Sequence, residues 1–327
     1  GASVTILGIM SAKTMNRAGY DVQLAAGTIT AGGTLGILIP PSIMLVVMGP
    51  ILNIPVTDLF AAAIMPGLML AALYTGYTLI RCHLNPSLGP VVPEDLIPDS
   101  MREVWIEFFK GLVPPVLLVG SSLGSILAGL ATPTEGAAMG AVGAIFLTLA
   151  YRKLTFKVLQ DALLKTLEIT TLIMVLVCAS NFFGAVFSRL GTPTMITEYL
   201  MVLDLPPMVL LLMIMALIFL LAWPLEWVPI VLIIIPILLP LVVQILDQLE
   251  LPMLWFAILV AVNLQTAWLS PPVALSAYFL KGVVPEWDLT DIYKGMMQFM
   301  MIQVVGLAVI IIFPKIVLWL PTYLYGN

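Results

Sequence analysis

Charged side chains make up only 9% of this 327-residue sequence, and the formal net charge of −5 is spread over several loops. With no basic tract, electrostatic binding of nucleic acid or of an anionic lipid patch has no footprint. Histidine occurs once, as His83, and cysteine twice, as Cys82 and Cys178. Neither an H-E-x-x-H motif nor a pair of intramembrane aspartates is present, so an intramembrane enzyme has no catalytic constellation to work with. No G-x-x-x-x-G-K-[ST] loop occurs either, which excludes ATP hydrolysis by a P-loop in this chain. The expectation is a protein that is not an enzyme, carries no cofactor and binds no transition metal.

What is abundant is apolar surface: 61% of the residues are hydrophobic and the mean hydropathy is +1.12, far from soluble domains. Residues 56–80, 111–130, 134–150, 169–188 and 296–320 are nearly uncharged windows of about the 20-residue length that crosses a bilayer as a helix. The alternating pattern of an outer-membrane barrel is absent, and helices are the remaining way to satisfy a spanning backbone. The fold class expected is an all-α polytopic membrane protein. The first residues, "GASVTILGIM", read as the interior of an element, and the chain is expected to be part of a longer one.

Residues 83–110 concentrate proline, glycine and charge and divide the chain into halves. From Pro98 this loop has the pattern of an amphipathic interfacial helix, with Val104, Trp105, Phe108 and Phe109 on the membrane side. Residues 151–168 read as a second surface segment joining two spans. Its Arg152, Lys153, Lys157 and Lys165 place it in the cytoplasm by the positive-inside rule.

Two regions combine an apolar run with an interruption. Residues 208–242 are too long for one span, at about 50 Å as a helix, and too short for two with a turn. Pro224, Glu226 and Pro229 lie at the centre, so a re-entrant hairpin of two half-length arms is expected. A lipid-facing Glu in one long kinked helix would cost about 3 kcal/mol. After the hairpin, "MLWFAILVAVNLQTAWLSPPVALSAYFL" (253–280) breaks at Pro271-Pro272, just as "VQLAAGTITAGGTLGILIPPSIMLVV" (22–47) breaks at Pro40-Pro41. The halves look like repeats, and "GASVTILGIMSAKTMNRAGY" then has the form of the returning arm of a first hairpin, beginning at the tip near Ser3. Hairpin followed by broken helix, twice, is the plan of transporters with inverted repeats.

Pro-Pro after glycines frees backbone carbonyls inside the membrane, tolerable only where protein, water or an ion satisfies them. The carbonyls from Gly33 to Ile39, with the hydroxyls of Thr34 and Ser42, are hard oxygen donors suited to Na⁺. Asn263, Gln265, Thr266 and Ser270 offer the same at the second break. Helix starts at Ser42 and Val273 present N–H groups that suit a carboxylate. The competing reading makes each Pro-Pro a packing kink, and the matched pair of breaks weighs against it. "ATPTEGAAMG" (131–140) reads as a capping box of Thr132 and Glu135, with Gly136 and Gly140 as a close-packing face. Asn181 and Arg189 read either as lining a substrate cavity or as the polar side and end of a span.

These motifs resemble one family. "AAGTITAGGTLGILIPPSI", "LATPTEGAA", "IIIPILLPL", "VNLQTAWLSPPVALSAYFLKGV" and "DIYKGMMQFMMIQVVGLAVIIIFPKIVLWLP" occur here, and this combination is similar to the large membrane subunit of the tripartite ATP-independent periplasmic (TRAP) transporters over essentially the whole chain. The resemblance implies an elevator-type secondary transporter of the bacterial inner membrane, driven by Na⁺ and taking up a small organic acid. It also implies two partners, a small four-helix membrane subunit and a periplasmic substrate-binding protein.

Carried over by position, a first sodium site combines Ser3 at the hairpin tip with Gly33, Thr34, Gly36 and Pro40. A second uses Glu226, beside Trp227, with Thr266 and Ser270, and substrate lies near Pro41, Ser42, Asn263 and Pro272. The second tip departs from the family pattern, reading "PLEW" where a Met-Asp-Thr-like turn is usual. The implied division is a first hairpin arm and broken helix (1–55), a scaffold helix with an amphipathic linker (56–110), scaffold helices with a connecting arm helix (111–207), a second hairpin and broken helix (208–282) and a C-terminal transmembrane helix (283–327). A gated channel or a passive structural subunit is the alternative.

Overall fold

The computed structural model describes residues 2–91, 100–202, 204–271 and 274–326. Among these, helix is the only regular secondary structure, and six helices are long and apolar enough to cross a membrane. The chain forms two compact units, residues 1–93 with 183–327 and residues 94–182.

The larger unit starts with α1, residues 2–17, in which a π turn (Gly8–Ala12) joins two short α segments. The broken pair α2 (Val22–Leu38) and α3 (Ile43–Leu52) follows, with a bend of 41° between them. Asp21 starts α2, its carboxylate accepting from the Leu24 N–H at 2.9 Å, which satisfies one orphan donor of the first turn. Next come α4 (Val56–Leu84) and, after the smaller unit, α8 (Thr192–Met201), α9 (Pro207–Ala222) and α10 (Trp227–Leu249). The second broken helix is α11 (Met253–Leu269, interrupted at Gln265) and α12 (Leu275–Val283), and the chain continues through α13 (Leu289–Ile312) and α14 (Lys315–Tyr325).

Helices α2 and α13 cross with backbones in contact. A Cβ on Gly295 would collide with the Gln23 carbonyl, and one on Gly27 would lie 2.7 Å from the Gly295 carbonyl oxygen. Two glycines are therefore what allow this crossing. Near it, Gln23 donates to Asp291 at 3.0 Å, pinning one end of the pair. The expected span 296–320 is corrected to Leu289–Ile312. Pro314 cannot donate a backbone bond, so the ladder stops before it and α14 starts afresh.

The smaller unit contains α5 (Met101–Leu127), α6 (Pro133–Ala150) and most of α7 (Phe156–Arg189). The separate interfacial helix expected from Pro98, a residue outside those described, is not formed: Val104, Trp105, Phe108 and Phe109 are the first turns of α5 itself. Trp105 stacks on Phe109 with ring centroids 5.8 Å apart, and the helix runs on from this apolar face into the span through Gly111 and Pro114-Pro115. Residues 156–168 likewise are not a detached surface segment but the polar start of α7, a single 34-residue helix of about 50 Å. No glycine or proline separates them from the apolar part. Thr132 and Glu135 form the expected capping box, and Ser122 donates to the Gly136 carbonyl at 2.6 Å. A Cβ on Gly140 would stand 3.3 Å from the Ser122 hydroxyl. That glycine face packs on α5 as the sequence suggested.

Candidate functional site

At the second hairpin the helix ends at Ala222 and restarts at Trp227, so the tip falls on Trp223–Glu226 as expected. Helix α9 packs along both the π turn Ile230–Ile234 and the helix that follows it. A continuous helix would carry Ile235 about 20 Å past Ala222, so the chain reverses here. The arms are unequal, with 16 residues in the first and 23 in the second. The expectation of two half-length arms therefore holds for α9 only, because the amphipathic residues 243–249 extend α10 and bury Ile245 and Leu246 on one face.

Helices α1 and α10 both carry a π turn, at Gly8–Ala12 and at Ile230–Ile234. Aligned on those turns, Leu225 corresponds in position to Ser3, which here lies within the helix Ala2–Leu7. Such turns are uncommon and concentrate at functional sites. Packing is also reciprocal: α1 lies against α12, the helix after the second break, while the π turn of α10 lies against α3, the helix after the first. Each broken helix is thus contacted by a helix from the other half of the larger unit. One buried apolar cluster joins Val4 and Ala12 of α1, Ala26 and Ile29 of α2, and Leu269 and Ala274 beside the second break.

At the first break α1 crosses α2 where glycine leaves room. A Cβ on Gly33 would overlap the Val4 side chain and stand 2.9 Å from the Val4 Cα. One on Gly36 would meet the Ser3 hydroxyl at 3.0 Å. Ser3, Gly33 and Gly36 are therefore brought together. Thr34 is fully buried, its hydroxyl donating to the Ala31 carbonyl at 2.8 Å and keeping its lone pairs. The expected run of freed carbonyls from Gly33 to Ile39 is corrected, because α2 stays helical to Leu38 and the Ile39 N–H still bonds the Leu35 carbonyl at 2.8 Å. Only from Gly36 onward does the N–H four residues ahead disappear, into Pro40 for Gly36 and Pro41 for Ile37. Pro40 is buried in the break and Pro41 exposed.

Ser42 bridges this break: its hydroxyl donates to the Ile37 carbonyl and accepts from the Leu45 N–H at 3.4 Å. It caps α3 and occupies one orphan carbonyl of α2 at once, a role the sequence reading had not given it.

The second break has a ladder of buried polar groups. Thr266 donates to the Asn263 carbonyl at 2.6 Å, Ser270 donates to the Thr266 carbonyl at 2.8 Å, and all three residues are fully buried or nearly so. The Asn263 amide donates to the Met215 carbonyl of α9 at 2.8 Å, tying the broken helix to the hairpin arm. Its Oδ1 has no partner among the described residues. Glu226, half-buried at the tip, forms no hydrogen bond or ion pair with Thr266 or Ser270, so of the second sodium set only Thr266 and Ser270 are joined directly, with the substrate candidate Asn263 bonded beside them. Pro272 and Val273 lie outside the described residues.

Sequence reasoning missed Gln303, a fully buried amide of α13 that donates to the Val262 carbonyl at 2.9 Å and to Gln265 Oε1 at 2.8 Å. A single amide inside "FMMIQVVGLAV" was its signal, since an isolated polar residue in a span needs a partner. Asn181 and Arg189 are exposed on α7. Hydroxyls, carbonyls and amide oxygens dominate both breaks, a hard, nearly neutral donor set that fits an alkali cation better than a transition metal.

The family described as tripartite ATP-independent periplasmic transporter, DctM component, matches residues 1–316. Among curated relatives, the chain is 26% identical to the sialic acid TRAP transporter permease protein SiaT of Haemophilus influenzae, over 97% of this chain and 50% of that protein. It is 28% identical to the large permease protein SiaM of Vibrio cholerae, over 98% of this chain and 72% of the relative. With the C4-dicarboxylate large permease protein DctM of Pseudomonas aeruginosa the figures are 29%, 99% and 73%. The chain thus spans half the length of the first relative and almost three quarters of the other two. Together with two broken helices in an all-helical membrane fold, the match over nearly its full length means that this chain belongs to the DctM component of the tripartite ATP-independent periplasmic transporters.

Proposed function

We propose that this chain forms the ion- and substrate-handling core of a secondary transporter that takes up a small organic acid across the bacterial inner membrane, driven by Na⁺. The observation that carries the reading is the reciprocal packing of two interrupted helices, each against a helix from the other half of the larger unit. Unpaired peptide groups at such depth are tolerated where an ion, a substrate or water completes them.

In this reading Na⁺ at the first site is held by Ser3, the Gly36 region and Thr34, with Gly33 and Pro40 shaping the backbone, and at the second by Thr266 and Ser270 with Glu226 at the tip. The substrate carboxylate sits between, near Pro41, Ser42, Asn263 and Pro272. Sialic acid, C4-dicarboxylates and 2,3-diketo-L-gulonate, named for relatives of this chain, are all carboxylates, which supports an organic acid as the class. An elevator movement then carries the block of hairpins and broken helices past a scaffold. A small four-helix membrane subunit completes the scaffold, and a periplasmic binding protein delivers the substrate.

The test is uptake by proteoliposomes containing the protein, its small subunit and binding proteins supplied one at a time. Uptake should require Na⁺ in excess on the entry side and stop when the gradient is collapsed. Flux indifferent to the gradient would mean a gated channel, and no flux with every partner present would mean a structural subunit.

A further inference from the structure

We propose that Gln303, in the C-terminal span α13, is a positioning residue for the second cation site, fixing the spacing of the oxygens at Thr266 and Ser270 without itself touching the ion. The inference rests on the reading of the second break as a cation site and names what sets its geometry.

The two breaks are held open differently. At the first, a hydroxyl of the same segment, Ser42, takes the Ile37 carbonyl. At the second the interruption begins earlier, at Gln265, and the group that meets it comes from another helix. The Gln303 amide nitrogen has two hydrogens, and both are committed, one to the Val262 carbonyl at the end of the regular ladder and one to Gln265 Oε1 in the interruption. The residues it grips flank the ladder along the chain: Val262 precedes Asn263, whose carbonyl accepts from Thr266, and Gln265 precedes Thr266, whose carbonyl accepts from Ser270. Moving Gln303 therefore moves the turn from which both candidate ligands are hung.

The anchor itself is fixed. Helix α13 is locked to α2 by the Gly27–Gly295 contact and by Gln23 and Asp291, so the second break is referenced to the helix that carries the first. Gln303 and Gln265 are both 0% exposed, and in so dry a setting an unmade bond costs more than in water. Gln303 Oε1 and Gln265 Nε2 have no partner among the described residues. The clasp is made by one nitrogen alone, so one substitution removes it completely.

A mere interhelical tie would affect the amount of folded protein and leave ion affinity alone; a positioning role changes the ion affinity. In the reconstituted complex, Gln303→Leu should raise the Na⁺ concentration for half-maximal uptake about fivefold or more, while substrate half-saturation at saturating Na⁺ stays within about twofold. Combined with Thr266→Ala its effect should be non-additive, and combined with Thr34→Ala, at the other site, additive. Should Gln303→Leu fail to accumulate, Gln303→Met, which is similar in length and has no N–H or O–H donor, should show the same rise. An unchanged Na⁺ half-saturation in a folded variant overturns the proposal. A wild-type protein whose uptake ignores Na⁺ overturns instead the cation reading beneath it.

Discussion

Ser42 shows how much a single hydroxyl does in this molecule. It is 2% exposed, caps α3 and takes a carbonyl that Pro41 has orphaned. Removing it in Ser42→Ala leaves a buried acceptor and a buried donor unpaired, at a cost of about 1–3 kcal/mol. Thermal unfolding in detergent should show a clear drop for Ser42→Ala and a smaller one for Ser42→Thr, which keeps the hydroxyl. Gly33 acts by absence. Gly33→Val places methyl groups where Val4 now sits, and overpacking of this kind costs about 1–3 kcal/mol; the same unfolding measurement should register it, with Gly76→Val, where nothing lies within 4 Å of the added Cβ, as the tolerated control. These two roles differed in legibility. A glycine beside a proline pair announces close approach or a bend, whereas the second function of Ser42 depends on where the Ile37 carbonyl ends up, and that is set by the last turn of α2.

Among the elements, the proline pairs separate what the pattern says from what it leaves open. Pro40-Pro41 interrupts a helix, while Pro114-Pro115 lies inside α5, which runs on for 27 residues. The difference lies in the neighbours. Around Pro40 the chain has Gly36 on one side and a capping serine on the other, so a new helix starts cleanly with Ser42 as its N-cap. After Pro115 comes "VLLVG", with no residue to cap a restart. Replacing Pro40 and Pro41 together by alanine returns two N–H donors and removes the reason for the break, so uptake should fall more than tenfold while the protein remains folded. The Pro114→Ala, Pro115→Ala pair should leave Na⁺ dependence unaltered. Initial uptake rates compared at equal protein amount decide this.

The sequence was therefore sufficient for the hairpin tip at Trp223–Glu226 and for the capping box at Thr132, where local chemistry decides. It was insufficient for the lengths of α7 and α10. Polar turns there continue a helix simply because nothing stops it, and a change of polarity resembles a boundary.

For the molecule as a whole, the exchange of support between repeats is the organising fact. Helix α1 braces α12 and α10 braces α3, so neither broken helix is held by its own half alone. Such an arrangement was visible in the sequence as a matched order of segments, but not as a pattern of contact, since which hairpin faces which break is decided by packing at long range. It also predicts that α2 and α13 move as one body. In a Cys82→Ser, Cys178→Ser background, Gln23→Cys and Asp291→Cys, whose native side-chain tips meet at 3.0 Å, bridged by a short reducible bis-methanethiosulfonate linker, should leave uptake near the unlinked level. Loss of uptake on linking, restored by reductant, would show sliding between these helices.

The central claim is that both breaks bind the driving ion, and sodium activation of uptake tests it most directly, measured for the wild-type protein and for Thr34→Ala and Ser270→Ala. Each variant should express normally and need about three- to tenfold more Na⁺ for half-maximal uptake, as expected for the loss of one neutral oxygen ligand. Activation curves for both variants that superimpose on the wild-type curve would contradict the account.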